Sequence, residues 1–137
     1  MYPSDIVLPM KAELTSKGFA DLATPEAVDQ AMKQSGTTLL VINSVCGCSA
    51  GTARPGVLHA VATANKKPAH LATSFAGFDI DAVKKARTYL LPYPPSSPAI
   101  ALLKDGQLVH MIERHMIEGR SAEMIAANLK EAFEQHC

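Results

Sequence analysis

Leu39-Leu40-Val41-Ile42-Asn43-Ser44-Val45-Cys46-Gly47-Cys48-Ser49-Ala50-Gly51 is the stretch whose reading decides the fold. From Thr37 to Ile42 the residues are aliphatic or β-branched without polar alternation, the pattern of a strand covered on both faces, as in a parallel sheet. Directly after it, two of the three cysteines stand one glycine apart, where the strand gives way to a helix. Unpaired N–H groups and the dipole at a helix start favour an anion, so a cysteine delivered there is a candidate reactive thiol.

Outward from this centre the chain alternates strand and helix. Downstream, a helix is expected from about Ser49 or Ala50 to Asn65, with Val57, Leu58, Val61 and Ala62 on its inner face. Pro55 is cheap only in a first turn, so this helix starts near Ala50–Gly51 or starts earlier and kinks at the proline. Pro68 to Thr73 reads as a further strand, and Asp79 or Asp81 as the cap of a helix through Val83, Ala86, Tyr89 and Leu90 that ends at Pro92. Ser97-Pro98 leads into Ala99–Leu103, then Asp105-Gly106, then Leu108–Ile112; both turn residues accept the positive φ of a type I′ hairpin. Ser121 caps the last helix, whose apolar face is Ile125, Leu129, Ala132 and Phe133.

Upstream, residues 6–16 read as a short helix stopped by Gly18, and Phe19–Leu22 as a short edge strand. Thr24-Pro25-Glu26 opens a helix that Gly36 closes. A βαβ half and a ββα half then share one sheet with helices on both faces, an α/β fold. The cysteine turn falls at the C-terminal end of a central strand, where open α/β sheets carry their sites. Residues 1–137 are read as one domain, with 1–17 as a helical extension.

Formal net charge is zero and no run of Lys or Arg exceeds two, which argues against nucleic acid as a partner. Met1-Tyr2-Pro3-Ser4-Asp5 has neither the basic nor the apolar region of a leader, and no apolar run approaches bilayer length, so no membrane association and a cytoplasmic location are expected. In that compartment Cys46 and Cys48 are redox-active or metal-binding, not a structural disulfide.

Cys46, just before the turn, is assigned the attacking role, and Cys48, nearer the helix, the resolving role. Arg54 is read first as a solvated surface residue and second as a nearby positive charge. A Cys-x-Cys disulfide closes a small ring, for which Gly47 can supply an unusual φ. The strain makes an easily reduced bond, each ~1.4 kcal/mol raising the potential by about 30 mV, and points to exchange over strong reduction. The rival is a metal site completed by His59, His70 or His115, although no second Cys or His pair has ligand spacing. Pro98, facing the turn, is either an ordinary trans proline or a cis proline that presents backbone to a substrate. Cys137 reads as an exposed end residue, and His110, Glu113, Arg114 and His115 as residues near the site without an assigned role.

The segment from Val41 to Gly56, ending Cys46-Gly47-Cys48-Ser49-Ala50-Gly51-Thr52-Ala53-Arg54-Pro55-Gly56, resembles the signature of the bacilliredoxins, and Ile112–Arg120 is also similar to that family. The resemblance spans about residues 18–136. It implies a thioredoxin-like fold, with a central mixed sheet flanked by helices. It also implies a thiol–disulfide oxidoreductase that removes bacillithiol or a similar small thiol from S-thiolated client proteins, with possible disulfide isomerase activity. Cys46 would be the nucleophile and Cys48 the resolving thiol, with Gly47, Ser97 and a cis Pro98 at the substrate. No resident cofactor is implied; the small thiol is a co-substrate. Two departures stand out: the acidic residue that thioredoxins bury beneath their cysteines has no counterpart in Leu39–Ile42, and Cys137 lies outside the recognised motif.

Overall fold

The computed structural model describes residues 1–137. Its elements are α1 (Ser4–Thr15), β1 (Ala20–Asp21), α2 (Pro25–Met32), β2 (Thr37–Asn43), a π-helical segment (Ser49–Ala53), α3 (Arg54–Thr63), β3 (His70–Phe75), α4 (Ile80–Thr88), β4 (Ala99–Lys104), β5 (Gln107–Ile112), α5 (Arg114–Ile117) and α6 (Ala122–His136). The five strands form one sheet in the order β1-β3-β2-β4-β5. β3 runs parallel to both β1 and β2, whereas β4 is antiparallel to β2 and β5. The strand leading to the cysteines is therefore the middle one, and the sheet is mixed.

Every residue of β2 is buried, as the apolar run Leu39–Ile42 at its centre requires, and the polar Thr37, Thr38 and Asn43 at its ends are buried with it. Successive side chains alternate between two cores. Leu39 and Val41 join Ile100 and Leu102 under Leu14, Val57, Ala60, Ile125, Leu129 and Phe133, so α1, α3 and α6 cover one face. Leu40 and Ile42 join Ala101 and Leu103 under Val28, Met32, Ala82, Val83 and Ala86, so α2 and α4 cover the other.

The punctuation read from the sequence acts as expected at most ends. The Oγ atoms of Thr24 and Ser121 accept from the amides of Ala27 and Met124. Asp105 and Gly106 take φ of 51° and 81° at the hairpin. The Ser97–Pro98 peptide is cis, as is Leu91–Pro92.

Two readings need correction, one pair of alternatives is decided, and one element was not foreseen. The third strand is His70–Phe75, two residues later than expected, because its pairing with Thr38–Asn43 sets its ends. Asp79 stands at the start of α4 but does not cap it; its carboxylate accepts instead from the Phe75 amide and from Lys11. The helix after the cysteines starts earlier than Ala50, at Gly47, and is continuous to Thr63. Wider π-helical turns run from Ser49 to Ala53, and the regular α3 ladder begins at Arg54, one residue before Pro55, so the change of pitch falls where the proline cannot donate. Finally, α5, a single turn, carried no recognisable signal.

Candidate active site

β2 ends at Asn43, and the next three residues, Ser44 to Cys46, turn into the helix that begins at Gly47. Asn43 organises this turn from below. Its Oδ1 accepts from the Ser44 amide (2.8 Å), the Ser49 hydroxyl (3.0 Å) and Arg54 Nη1 (2.9 Å), while its Nδ2 donates to the Met10 carbonyl (3.2 Å). The Ser44 hydroxyl in turn accepts from the Cys46 amide at 3.1 Å.

Arg54 is not a surface residue. It is 1% exposed, and Nη1 also donates to the Ser44 carbonyl and the Ser49 hydroxyl, while Nε meets Glu13 at 3.0 Å. Its place beneath the cysteine turn corrects the expectation of a solvated side chain. A buried cation is sustained here because four oxygens surround it, one of them a carboxylate.

The two sulfurs lie 2.7 Å apart as free thiols. Their surroundings differ. Cys46 lines an open groove of about 450 Å³ with Tyr2, Ser44, Val45, Ala76, Gly77, Arg87, Ser97 and Arg114. Cys48 packs against the apolar core beneath the helix. The Cys48 thiol hydrogen bond holds the Cys46 thiol below its ordinary range, against the opposing effect of burial; the Cys48 and Ser49 amides and the Arg114 guanidinium add to the lowering. Burial pushes Cys48 up, and so does the neighbouring Cys46 thiolate. One thiol is thus poised to ionise and the other to stay protonated beside it.

Ser97 lines the groove, Pro98 is buried behind it, and Gly47 is exposed between the cysteines with no left-handed φ. The free-thiol form therefore makes no use of the freedom expected of that glycine. Arg114 carries more than the sequence assigned to it. Its amide donates to Ser96 Oγ at 2.7 Å, its Nε pairs with Glu118 at 2.7 Å and its Nη1 reaches the Ser97 carbonyl at 3.4 Å. A signal was present, since Arg114 lies within the Ile112–Arg120 segment that resembles the family. Arg87 and Tyr2 gave no such signal. Of the other candidates, His115 is exposed beside Glu113, His110 meets Asn128 at 2.7 Å, and Cys137 is exposed at the end of α6. No three His, Cys, Asp or Glu side chains gather as a metal site, so His59, His70 and His115 do not complete one with the cysteines.

Comparisons with known proteins agree with this arrangement. Among solved structures, oxidised mitochondrial thioredoxin 3 from Saccharomyces cerevisiae superposes with a TM-score of 0.58 at 15% identity, covering 90% of this chain and 98% of that one. Fasciola hepatica thioredoxin gives 0.56 at 18% identity, covering 87% of this chain and 100% of the other. The fold is thioredoxin-like. A family model described as disulphide isomerase matches residues 2–137. A bacilliredoxin of Cytophaga hutchinsonii is 63% identical over 135 residues, 98% of this chain and 99% of that protein. A bacilliredoxin of Bacillus cereus is 50% identical over 136 residues, 99% of this chain and 94% of its own length. With the cysteine pair, the cis proline and near-complete coverage in agreement, the chain belongs to the bacilliredoxin family.

Proposed function

We propose that this protein is a cytoplasmic thiol–disulfide oxidoreductase that removes a low-molecular-weight thiol, bacillithiol or a close analogue, from mixed disulfides on client proteins. The observation that carries the reading is the asymmetry of the pair: an ionisable Cys46 open to the groove, and a protonated Cys48 held against it. In the first step Cys46 thiolate attacks the sulfur of the small thiol. The client–sulfur bond breaks, the client leaves as a thiolate that takes a proton from solvent, and Cys46 keeps the small thiol as a mixed disulfide. Once Cys46 loses its charge, one cause that raises Cys48 disappears. Cys48 then gives up its proton and attacks Cys46 Sγ, expelling the small thiol and leaving a Cys46–Cys48 disulfide. The two electrons lost by the pair equal those gained by the client thiol and the released thiol together, balanced across the client disulfide. An external thiol reductant restores the pair.

Arg114 and the helix amides stabilise the thiolate in this scheme, whereas Asn43 and Arg54 hold the backbone that presents it. In Cys48→Ser, resolution is blocked and the Cys46 adduct accumulates on incubation with an S-thiolated client. In Cys46→Ser, transfer is lost. Intact mass spectrometry with peptide mapping, which separates any adduct on Cys137, reads both outcomes; transfer retained without Cys46 overturns the assignment. The family description as disulphide isomerase favours a second reading, in which Cys46 alone reshuffles client disulfides. That reading requires Cys48→Ser to keep reactivating a scrambled disulfide protein.

A further inference from the structure

The groove at Cys46 has a charge that thiol exchange alone does not require. Its charged side chains are Arg87 and Arg114, with no carboxylate among the lining residues. The neighbouring hollow beyond Arg114 is different, mixing Arg114 and His115 with Glu113 and Glu118. Arg114 is already engaged by Glu118 and acts on the Cys46 sulfur. Arg87 is not engaged. It lies half-buried in the last turn of α4, makes no salt bridge, and has one hydrogen bond, from Nη1 to the Ser96 carbonyl at 3.5 Å. A guanidinium presents five N–H donors, so most of its capacity is unspent.

Burial draws Arg87 below its ordinary range, which means that the cation is partly stripped of water without a counter-charge. The helix C-terminus to which it belongs favours a cation, but that attraction does not account for a side chain lining the groove. An arriving anion would supply the missing partner. Carboxylate suits the site, because a planar guanidinium can take it with two parallel hydrogen bonds.

We propose that Arg87 is a recognition residue for a carboxylate carried by the small thiol, so that the groove selects anionic over neutral low-molecular-weight thiols. The proposal rests on Cys46 being the attacking thiol. The thiol's sulfur would meet Cys46 under Arg114 while its carboxylate reaches Arg87 on the α4 side of the groove. Tyr2, whose amide donates to the Gly77 carbonyl at 3.1 Å, and Gly77 itself wall the groove on that side.

The test uses stoichiometric adduct formation, which needs neither a client nor turnover. Cys48→Ser/Cys137→Ser protein, with Cys46 as its one remaining thiol, is mixed with the symmetric disulfide of 3-mercaptopropionate or of 3-mercaptopropanol. Cys46 attacks one sulfur, the other half leaves as thiolate, and intact mass follows the adduct. The carboxylate disulfide should react about tenfold faster than the neutral one, the scale of one charge-assisted hydrogen bond. Adding Arg87→Gln should bring that ratio close to one, and Arg87→Lys should keep part of it. Raising the salt concentration should also compress the ratio in the Arg87 protein.

Equal rates for the two disulfides in the Arg87 protein, or a preference that survives Arg87→Gln, overturn the anion site and leave Cys46 as the attacking thiol. A preference seen with acidic peptide disulfides but not with the small carboxylate also overturns it, since the groove would then read the client. Failure of Cys46 to form any adduct overturns the exchange reading together with this one.

Discussion

At the scale of single residues, the site depends on placing opposite tendencies two positions apart. Cys46 and Cys48 share a motif, yet one faces water and positive charge while the other rests on the core. Arg114 is the charge that reaches both sulfurs, and it favours the ionised form of each. Its removal should therefore raise Cys46 from its lowered position. In Arg114→Gln, the pH at which Cys46 becomes half-reactive toward iodoacetamide moves upward, and the loss of rate is largest on the acidic side and fades once Cys46 is fully ionised in both proteins. A pH series of alkylation rates read by peptide mapping checks this. An unshifted profile with a uniformly lower rate would mean that Arg114 shapes access and not charge. The cysteines were legible because their spacing and context are local. Arg54 was not: an arginine in a helical stretch is ordinarily solvated, and only Asn43, Ser44, Ser49 and Glu13 converging on it make its burial tolerable.

At the scale of elements, the reactive turn is fixed by how closely α3 lies on α6. Gly56 is the contact point: a Cβ there would stand 2.8 Å from Ile125 Cβ and 3.0 Å from the Ala122 carbonyl oxygen. Alanine would recover roughly 1 kcal/mol of helix propensity over glycine. It would also force apart two backbones that have no slack, at a cost of about 1–3 kcal/mol. Backbone and a β-branched side chain do not yield easily, so the steric cost wins. Gly56→Ala should be net destabilised, by up to about 2 kcal/mol in urea unfolding, with slower adduct formation at Cys46 as the helix start shifts. A neutral or stabilised variant would show that α6 can move away freely. The helix itself could be read from Val57, Leu58 and Val61, although Ala62, expected on the same face, is exposed, and the turn residues marked its neighbours. The π-helical turns before Pro55 could not, since whether a proline begins a helix or is accommodated inside one depends on the packing against α6. The short α5 escaped for a related reason: one turn is too brief to show a period.

At the scale of the whole molecule, the apolar runs foretold a sheet covered on both faces, but could not say which residue goes to which face. Leu39, Leu40, Val41 and Ile42 are all apolar, so alternation between the two cores leaves no trace in composition. Long-range ion pairs are equally silent, and one of them ties the N-terminal helix to the rest. Lys11 reaches from α1 to Asp21 on β1 at 2.8 Å and to Asp79 before α4 at 2.9 Å, with its ammonium 5.3 Å from the Phe78 ring. Its side chain is 8% exposed and that of Asp79 is 5% exposed. Burial pushes Lys11 down, but its hydrogen bonds to Asp21 and Asp79 outweigh that and hold it above the ordinary lysine value. A cation whose folded value is raised stabilises the fold fully below its unfolded value of about 10.5, and that contribution is lost as pH climbs through the higher folded one. Lys11→Met leaves the Asp79 carboxylate buried with only the Phe75 amide, and should cost about 3 kcal/mol at neutral pH. Adding Asp79→Asn removes the stranded charge and should return part of that loss. The gap between wild type and Lys11→Met should stay level through neutral pH and narrow only in strongly alkaline solution. Urea unfolding of the three proteins across pH reads each of these outcomes; a gap that closes near neutrality would mean that Lys11 gives up its proton far more readily than its two carboxylates allow.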